Sequence, residues 1–446
     1  MTTDPAALAW DGAARDVPTL HIDDLSAIPF LVDIAGVEEY QHRARLRAGD
    51  GDLFAAVTPA ADGYERYCRD VLGLGAPELI VADAVEGGPL FVARACGEGA
   101  AFDRLVARAR EAGGLIVHPY MSHEAVWELA GRISAASGTR VTVIGPTPEA
   151  LWLANDKARF CELVAATVGD SWVVDTRLAT DPDAIARELA ALAARHPRVG
   201  LKRTRCASAM GNEVFHADEI QAGDPAALVR AFLARTEWPP GEEVLAVPWE
   251  DATSSPSTQL WIPPLGRGMP RLDGVYEQIL EGPERVFVGS RPSQLPREVN
   301  ARLEAAALAV GAALQQRGYT GRCSFDHLVV GDPHGGCELR FTEANGRWGG
   351  TSTPMSLLDR LLGGAARPPY RAQDFVHEAL AGVSLPEILT RVGDDVFDPR
   401  TGRGRFVFYN VGPLAASGKL DVIAMGKTQA RAEAALVSEL PGILGV

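Results

Sequence analysis

The chain has 446 residues, with 43 Lys and Arg against 58 Asp and Glu, and a formal net charge of −15 at pH 7. Binding to a nucleic-acid backbone requires clustered basic residues, so this composition argues against a nucleic-acid partner. Hydrophobic residues make up 47% and charged residues 23%, values that are ordinary for a globular protein and exclude a disordered chain. With roughly 150 residues as a prior for one domain, the length predicts two or three packed units.

The cysteines and the start of the chain indicate the compartment. Six cysteines are scattered without any C-x-x-C pair, a pattern that favours reduced structural thiols over a disulfide framework or a zinc site. The first residues lack the basic start and apolar run of a signal peptide, and no segment is apolar and long enough to cross a bilayer. We therefore expect a soluble cytoplasmic protein without a membrane partner. A homodimer is the base-rate expectation for its assembly.

The first third of the chain alternates short β-rich runs with helical patterns. The runs and patterns succeed one another at 78–82, 101–112, 114–119, 122–134 and 140–146. Strand, helix and strand joined by short turns predict an α/β unit with a mainly parallel sheet. We place a Rossmann-like N-terminal domain at residues 1–147.

The second predicted domain spans residues 148–365, with a lid over about 157–246. Asn155-Asp156-Lys157 opens an amphipathic helix, which places Lys157 in a first turn. A second helix is predicted over 182–195, where His196-Pro197 stops it, and the short strand that follows places Lys202 at a strand end.

A hairpin is predicted near the end of this domain. A long helix over 296–318 precedes two β-rich runs, at 323–330 and 337–345, and the connection between them is dense in turn-forming residues. If Val330 pairs with Cys337, Asp326 lies opposite Phe341 and has Glu343 as its diagonal neighbour on one face.

The remainder of the chain is predicted to form a small α/β C-terminal domain at residues 366–446. Its expected elements are a helix over 374–381, a strand over 405–409 and a terminal helix over 427–440.

The run Glu343-Ala344-Asn345-Gly346-Arg347-Trp348-Gly349-Gly350 carries most of the chemistry. Side chains alternate across a strand, so Glu343 and Asn345 project to one face and Arg347 continues the spacing beyond the strand. With Asp326, these residues provide the hard oxygen ligands that Mg²⁺ prefers, beside a guanidinium whose planar fork matches phosphoryl oxygens. The alternative interpretation is a set of polar residues on the solvated face of an edge hairpin.

This run resembles the ATP-grasp superfamily, whose last two core strands carry an acidic residue and then an E-x-N-x-R-x-G-like motif. The resemblance covers roughly residues 146–363 and implies an α+β ATP-grasp fold that uses ATP and Mg²⁺. It implies that Asp326, Glu343 and Asn345 are metal ligands and that Arg347 is catalytic, with Thr351 or Ser352 lining the same pocket.

Two lysines in the expected order fit the same resemblance. In the family, a lysine that opens the first helix after the N-terminal domain and a lysine on a later strand hold the nucleotide phosphates, which implies these roles for Lys157 and Lys202. Compact positive charge and a loop of small residues suit phosphate oxygens. The loop after Lys202 contains Ser208 and Gly211, and it has fewer glycines than is common in the family. A lysine on its own is usually a surface residue.

The resemblance also implies an adenine-binding hinge at Val247-Pro248-Trp249-Glu250. The Pro248 carbonyl and the Glu250 amide are expected to meet the base, and proline, which has no N–H, is compatible with a carbonyl-only role. The alternative is a buried strand end with Trp249 in the core.

Within the superfamily, the chain is most similar to the peptide ligases of pheganomycin-type natural-product biosynthesis, on the runs 255–260, 318–322 and 408–412. This implies a ligase that activates a carboxylate as an acyl phosphate and couples it to the amine of an amino acid or peptide, in the biosynthesis of an antibiotic or another natural product. The alternatives are a small-molecule kinase and a nucleotide-binding scaffold without turnover.

Other motifs are missing or incomplete. The sequence has no G-x-x-x-x-G-K-[ST] loop, and Gly73-Leu74-Gly75 lacks the rest of a dinucleotide fingerprint. His123-Glu124 lacks the second histidine of a zinc helix, so we interpret His118 and His123 as structural or substrate-side residues.

Overall fold

A computed structural model describes residues 4–29, 36–206, 211–282 and 285–446. The chain builds a five-stranded, a four-stranded and a nine-stranded sheet. Within these ranges no helix combines the length and the apolar character needed to cross a membrane.

The N-terminal domain is a parallel sheet covered by helices, as the sequence predicts. Its strands are β1 (Thr19–Ile22), β2 (Leu53–Ala56), β3 (Glu78–Val81), β4 (Gly114–Pro119) and β5 (Arg140–Val143). Its helices are α1 (Pro5–Leu8), α2 (Tyr64–Arg66), α3 (Val92–Ala95), α4 (Gly99–Ala112) and α5 (Glu124–Ser137), with a 3₁₀ helix at Val37–Leu46. The strand order is β3-β2-β1-β4-β5. The order therefore reverses between β1 and β4, and in open α/β sheets ligands bind in the crevice at the carboxyl ends of such strands.

Two helices lead from this sheet into the four-stranded sheet. The elements of this part are α6 (Pro148–Asn155), α7 (Lys157–Val168), β6 (Arg177–Ala179), α8 (Pro182–Ala193), β7 (Arg198–Arg203), β8 (Asn212–His216), α9 (Ala217–Ala222), α10 (Pro225–Arg235) and β9 (Val244–Pro248). The sheet order is β6-β9-β7-β8, with antiparallel neighbours. The predicted helices at 157 and 182 are confirmed, and the second begins at Pro182 because the Asp181 side chain caps it, accepting from the Ala184 amide at 2.9 Å.

The nine-stranded sheet contains the predicted hairpin. The elements are β10 (Ala252–Ser254), β11 (Pro256–Ile262), β12 (Arg271–Glu281), β13 (Val286–Pro292), α11 (Arg297–Gln315), β14 (Gly321–Asp332), β15 (Gly336–Asn345) and α12 (Ser352–Leu361). Helix α11 packs on one face of this sheet through a buried apolar cluster, which leaves the opposite face for polar residues.

The C-terminal segment extends this sheet. Its elements are β16 (Tyr370–Val376), α13 (Leu385–Val392), β17 (Phe406–Asn410), α14 (Leu414–Ser417), β18 (Lys419–Met425), α15 (Gln429–Ala434) and α16 (Leu440–Leu444). The predicted helix over 374–381 is wrong for its first residues, because those up to Val376 belong to β16, which pairs along its length with β18, and only a short 3₁₀ helix follows at Glu378–Leu380. Tertiary pairing outweighs the local helical pattern there. The predicted limits at 147 and 365 stay predictions.

Candidate functional site

Two carboxylates face each other on adjacent strands of the hairpin. Asp326 of β14 pairs directly with Glu343 of β15, and a β-bulge separates this pair from the next one toward the turn. The extra residue of the bulge is Thr342, whose hydroxyl donates to the Asp326 carbonyl at 3.1 Å. The bulge therefore places both carboxyl groups at the same level and on the same face of the sheet.

The predicted hairpin register was wrong by one residue. Val330 pairs with Glu338 rather than with Cys337. A one-residue slip alone would turn the side chains of one strand to the other face. The bulge shifts the register by one further residue, so the two carboxylates again lie on a common face, as predicted. Asp326 and Glu343 are direct partners there instead of the predicted diagonal neighbours.

The pKa values of the two carboxyl groups are shifted in opposite directions. Burial raises the pKa of Asp326 to about 6, and the charge of Glu343 acts in the same direction. For Glu343, burial opposes ionisation, but the neighbouring cations, Lys157 foremost, hold its pKa below the ordinary value. Asn345 belongs to the same cluster, since its Nδ2 donates to Asp326 Oδ2 at 2.9 Å.

Lys157 reaches this pair from the start of α7. The Asp156 side chain caps the helix, so that Lys157 is its first residue and points back toward the hairpin. Lys157 Nζ lies 2.9 Å from Glu343 Oε2 and donates to the Cys206 carbonyl at 2.7 Å. Its side chain is only 7% exposed, whereas that of Glu343 is 31% exposed, so the ion pair is partly buried.

Lys202 lies on β7 within electrostatic range of the same cluster. Burial lowers its pKa, and the charge of Lys157 acts in the same direction against the opposing charge of Glu343. Its Nζ is 5.0 Å from the centre of the Trp249 ring. The structure thus brings together both predicted lysines and both carboxylates.

The predicted adenine hinge lies at the end of β9. Pro248 is the last residue of that strand, and the Trp249 amide donates to the Arg198 carbonyl at 2.9 Å. A Cβ added at Gly200 would lie 2.8 Å from Trp249 Cε3, so the indole ring packs closely over the backbone of β7. The Glu250 carboxylate lies 3.7 Å from the Arg340 guanidinium.

The small-residue loop is described only at its ends. Ser208 lies outside the described residues. The carbonyl of Gly211 accepts from the Arg203 amide at 2.9 Å, and a Cβ at Gly211 would lie 2.6 Å from Cys206 Sγ. Glycine is therefore required there by close packing.

Arg347 faces the N-terminal domain at the edge of the site. Its guanidinium lies 5.9 Å from the centre of the Tyr120 ring and donates to the Trp348 carbonyl at 3.1 Å. The Gly349 amide donates to Ser352 Oγ at 2.6 Å, which fixes the turn between the motif and α12. Thr351 and Ser352 are both buried beside this turn.

Sequence reasoning missed two polar residues beneath the carboxylates. Hydrogen bonds from Ser257 and Gln278 act to lower the pKa of Asp326, against the effect of burial. Ser257 pairs with Asp326 across β11 and β14. Ser257 lies within the run 255–260, on which the resemblance to the peptide ligases partly rests. Only the sheet order shows that it lies beside Asp326.

The comparisons with known proteins concern the fold. Residues 41–135 match the family of the Pre ATP-grasp domain, whereas no curated protein matches the chain. An ADP complex of N5-carboxyaminoimidazole ribonucleotide synthetase is similar, with 13% identity, 96% of each chain covered and a TM-score of 0.57. A carboxyaminoimidazole ribonucleotide synthase from Aspergillus clavatus, complexed with ATP, has 12% identity, covers 96% of this chain and 99% of its own, and gives a TM-score of 0.56.

Biotin carboxylase from Campylobacter jejuni is also similar, with 13% identity, coverage of 94% of this chain and 89% of its own, and a TM-score of 0.55. At such identities the likeness concerns architecture. The protein therefore has a mixed α/β fold, in which a parallel-sheet pre-ATP-grasp domain precedes the antiparallel sheets of an ATP-grasp fold.

Proposed function

We propose that this protein is an ATP-dependent carboxylate–amine ligase. The observation that carries the proposal is the convergence of Lys157 and Lys202 on the Asp326–Glu343 pair at the junction of two sheets. Holding two carboxylates side by side in a partly buried place is costly, and such an arrangement is typical of a site that receives a cation.

The nucleotide is assigned to the cleft between the four-stranded sheet and the hairpin. Lys157 and Lys202 offset the charge of its phosphates, because positioning and electrostatics dominate phosphoryl transfer. The base lies against the end of β9, where the carbonyl of Pro248 and the amide of Glu250 meet its edge beside Trp249. Gly211, at the described end of the small-residue loop, is assigned to the phosphates, and for Ser208, which lies outside the described residues, the same role rests on the family resemblance.

The donor set at the hairpin fits Mg²⁺. Within the part of the chain that the structure describes, no group of three or more His, Cys, Asp or Glu residues could hold a metal ion by itself. Mg²⁺ usually binds through one or two carboxylates together with substrate phosphates. Asp326 and Glu343, with the side-chain oxygen of Asn345, match that requirement. When bound there, Mg²⁺ neutralises phosphate charge.

The proposed reaction has two steps. An oxygen of the substrate carboxylate attacks the γ-phosphorus of ATP, the bond to the bridging oxygen breaks, and ADP leaves. An amine nitrogen then attacks the acyl carbon of the acyl phosphate, the nitrogen loses a proton, and phosphate departs as the amide forms. Arg347 holds the phosphoryl oxygens of the acyl phosphate with its planar donors. The lid over about 157–246 excludes water from this intermediate.

The finer assignment is a peptide ligase of natural-product biosynthesis acting in the cytoplasm. It joins a small-molecule carboxylate to an amino acid or peptide amine, and the runs 255–260, 318–322 and 408–412 support it. The proposed division is a pre-ATP-grasp domain at 1–147, an ATP-grasp domain at 148–365 and a C-terminal domain at 366–446.

A library of carboxylates and amines, incubated with ATP and Mg²⁺, tests the proposal. We expect ADP release that requires both a carboxylate and an amine, together with a condensed product detected by mass spectrometry. Glu343→Gln should abolish this turnover, whereas Glu338→Gln, an exposed glutamate on the same strand, should preserve it. A stable phosphorylated product would identify a kinase instead, and absence of ADP release with every substrate pool would favour a nucleotide-binding scaffold.

A further inference from the structure

A cavity of about 190 Å³ lies between the pre-ATP-grasp domain and α12. Its wall includes polar groups from three parts of the chain, namely His21, Arg47, His118, Trp348, Ser356 and Arg360.

The cavity lies at the reversal point of the parallel sheet. His21 of β1 and His118 of β4 are paired in register across the two strands between which the order reverses. The cavity also borders the proposed active site, because Trp348 in its wall directly follows Arg347 in the sequence. Its position fits a substrate pocket in both respects.

Arg47 lines this cavity, and part of its guanidinium group has no hydrogen-bond partner among the described residues. One terminal nitrogen donates to Asp23 Oδ1 at 2.6 Å. Among the described residues, Nε and Nη1 have no hydrogen-bond partner, although the side chain is only 7% exposed. Buried guanidinium donors without acceptors are costly, so an acceptor that reached the Arg47 guanidinium would be bound favourably.

Two guanidinium groups, those of Arg47 and Arg360, line the cavity. Asp23, which is 1% exposed, serves two guanidinium groups, at 2.6 Å from Arg47 and 3.8 Å from Arg43. Arg360 donates to backbone carbonyls rather than to a carboxylate. Asp52 accepts from two backbone amides and lies 3.7 Å from His21 Nε2, and the charges of Asp52 and Asp50 act on Arg360. Among the described residues that line the cavity there is no acid, so an anionic ligand would meet the two guanidinium groups without a competing carboxylate in the wall.

The histidines add no charge to the two guanidinium groups. Burial lowers the pKa of His21, against the effect of its hydrogen bond to Asp52, and burial also lowers the pKa of His118, so both rings are neutral near pH 7. His21 Nδ1 is a further buried atom for which the described residues provide no partner. The charge that the ligand meets in the cavity wall is therefore that of the guanidinium groups.

The remaining wall is apolar and aromatic. The Arg47 guanidinium lies 4.8 Å from the centre of the Trp348 ring, and Arg322 lies 5.2 Å from the same ring. Leu46 and Leu357 complete this side. A cavity with a charged end and an apolar wall suits an organic anion better than a fully hydrated inorganic one.

The distance to the carboxylate pair shows which group of a substrate could occupy the cavity. Arg322 and Asp326 lie on the same face of β14, because they are four residues apart and side chains alternate. At about 3.3 Å per residue, their backbones are about 13 Å apart. The Arg322 guanidinium lies against the ring of Trp348, which belongs to the cavity wall. An anion beside Trp348 is therefore remote from the proposed phosphoryl-transfer centre.

We propose that this cavity binds a non-reacting carboxylate of a small amphipathic substrate, such as the free carboxylate of an amino acid or of a short peptide, with Arg47 as its main contact. That the ligand is a substrate rests on the proposed ligase function, whereas the binding of a carboxylate in the cavity does not. The cavity would hold one end of the substrate while the reacting group extends toward Arg347.

Ligand-observed NMR titration of the full chain without ATP tests this inference, with butyrate and N-acetyl-leucine as carboxylate probes. Butyramide serves as the neutral isostere and inorganic phosphate as the competing anion. We expect both carboxylates to bind at least tenfold more tightly than butyramide, because a charge-assisted hydrogen bond to Arg47 is lost in the amide. Equal binding of butyramide, or tighter binding of inorganic phosphate, overturns the carboxylate assignment.

Two variants address the cavity by different routes. Arg47→Gln removes the anion contact, and Ser356→Phe fills the space while retaining the Arg47–Asp23 ion pair. Each should weaken carboxylate binding at least tenfold. Arg43→Gln is the matched control, since it removes the other arginine of Asp23 without touching the cavity wall, and wild-type binding is expected. Unchanged binding in both cavity variants overturns the inference.

ADP release, assayed in parallel, separates this inference from the ligase proposal. Carboxylate binding that depends on Arg47, in a protein that never releases ADP, supports the cavity and contradicts the ligase. Substrate-dependent ADP release without any carboxylate binding overturns the cavity assignment alone.

Discussion

Asp326→Asn should stabilise the nucleotide-free protein. The pKa of Asp326 is raised from 3.8 to about 6 by burial and by the charge of Glu343. A carboxyl group that binds its proton more tightly in the folded chain makes the free energy of unfolding fall as the pH rises from about 4 to about 6. Above about pH 6 this fall in the free energy of unfolding is complete. Asparagine at position 326 carries no charge, so it avoids the fall while still offering an oxygen to Asn345.

The size of the effect follows from the two pKa values. Their difference of about two pH units, at about 1.4 kcal/mol per unit, gives a gain of at most about 3 kcal/mol at pH 7.5. At pH 4.5 the wild-type carboxyl is mostly protonated in the folded chain, so the remaining gain is about 1 kcal/mol. For a cooperative unit of about 200 residues, 1 kcal/mol moves the thermal midpoint by about 2–4 °C.

Thermal unfolding at pH 7.5 and pH 4.5 measures this difference. We expect the midpoint of Asp326→Asn to exceed that of the wild type by several degrees at pH 7.5 and by about a third as much at pH 4.5. Asp332→Asn, an exposed carboxylate at the end of the same strand, is the control and should change little at either pH. A lower midpoint for Asp326→Asn at pH 7.5, or an equal gain at both pH values, would refute the electrostatic reasoning.

Three further predictions concern packing, the nucleotide and the thiols. Gly346→Ala should lower the free energy of unfolding by about 1–3 kcal/mol in urea titration, because the added Cβ would lie 2.9 Å from Asn155 Nδ2; no change would contradict the tight fit. Lys202→Met should raise the KM for ATP by about tenfold to a hundredfold through the loss of a charge-assisted contact, as measured by ADP release, and an unchanged KM would exclude a phosphate contact. In the folded protein a thiol reagent should modify at most three of the six cysteines, whereas all six should react after unfolding. The reason is that Cys68, Cys96 and Cys323 are buried, and burial raises the pKa of each thiol to about 12. Labelling of more than three cysteines without unfolding would contradict this burial.

Local signals allowed much of the fold to be predicted. The start of α7 at Lys157 follows from an aspartate cap and an apolar stripe, both of which lie within a few residues. The alternation that puts Glu343 and Asn345 on one face is a property of any strand. These features required no knowledge of distant residues.

The failures all involve partners that are distant in the sequence. The bulge at Thr342 depends on how β14 and β15 pack together, and no residue type marks it. Residues 374–376 have a helical pattern but pair with β18, some 45 residues later. The environment of Asp326 includes Gln278, which sheet order alone brings near it. The cavity beside Arg47 likewise joins the N-terminal domain to α12.

The bulge also makes the spacing of the acidic pair independent of the hairpin tip. The tip at Asp332–Gly336 is six residues from Asp326, or about 20 Å along the strand. Because the bulge fixes the pairing of Asp326 with Glu343 on the near side, a change of loop length at the tip leaves that pairing in place. This exposed tip is therefore a suitable point for inserting a fluorescent or affinity tag into the interior of the chain.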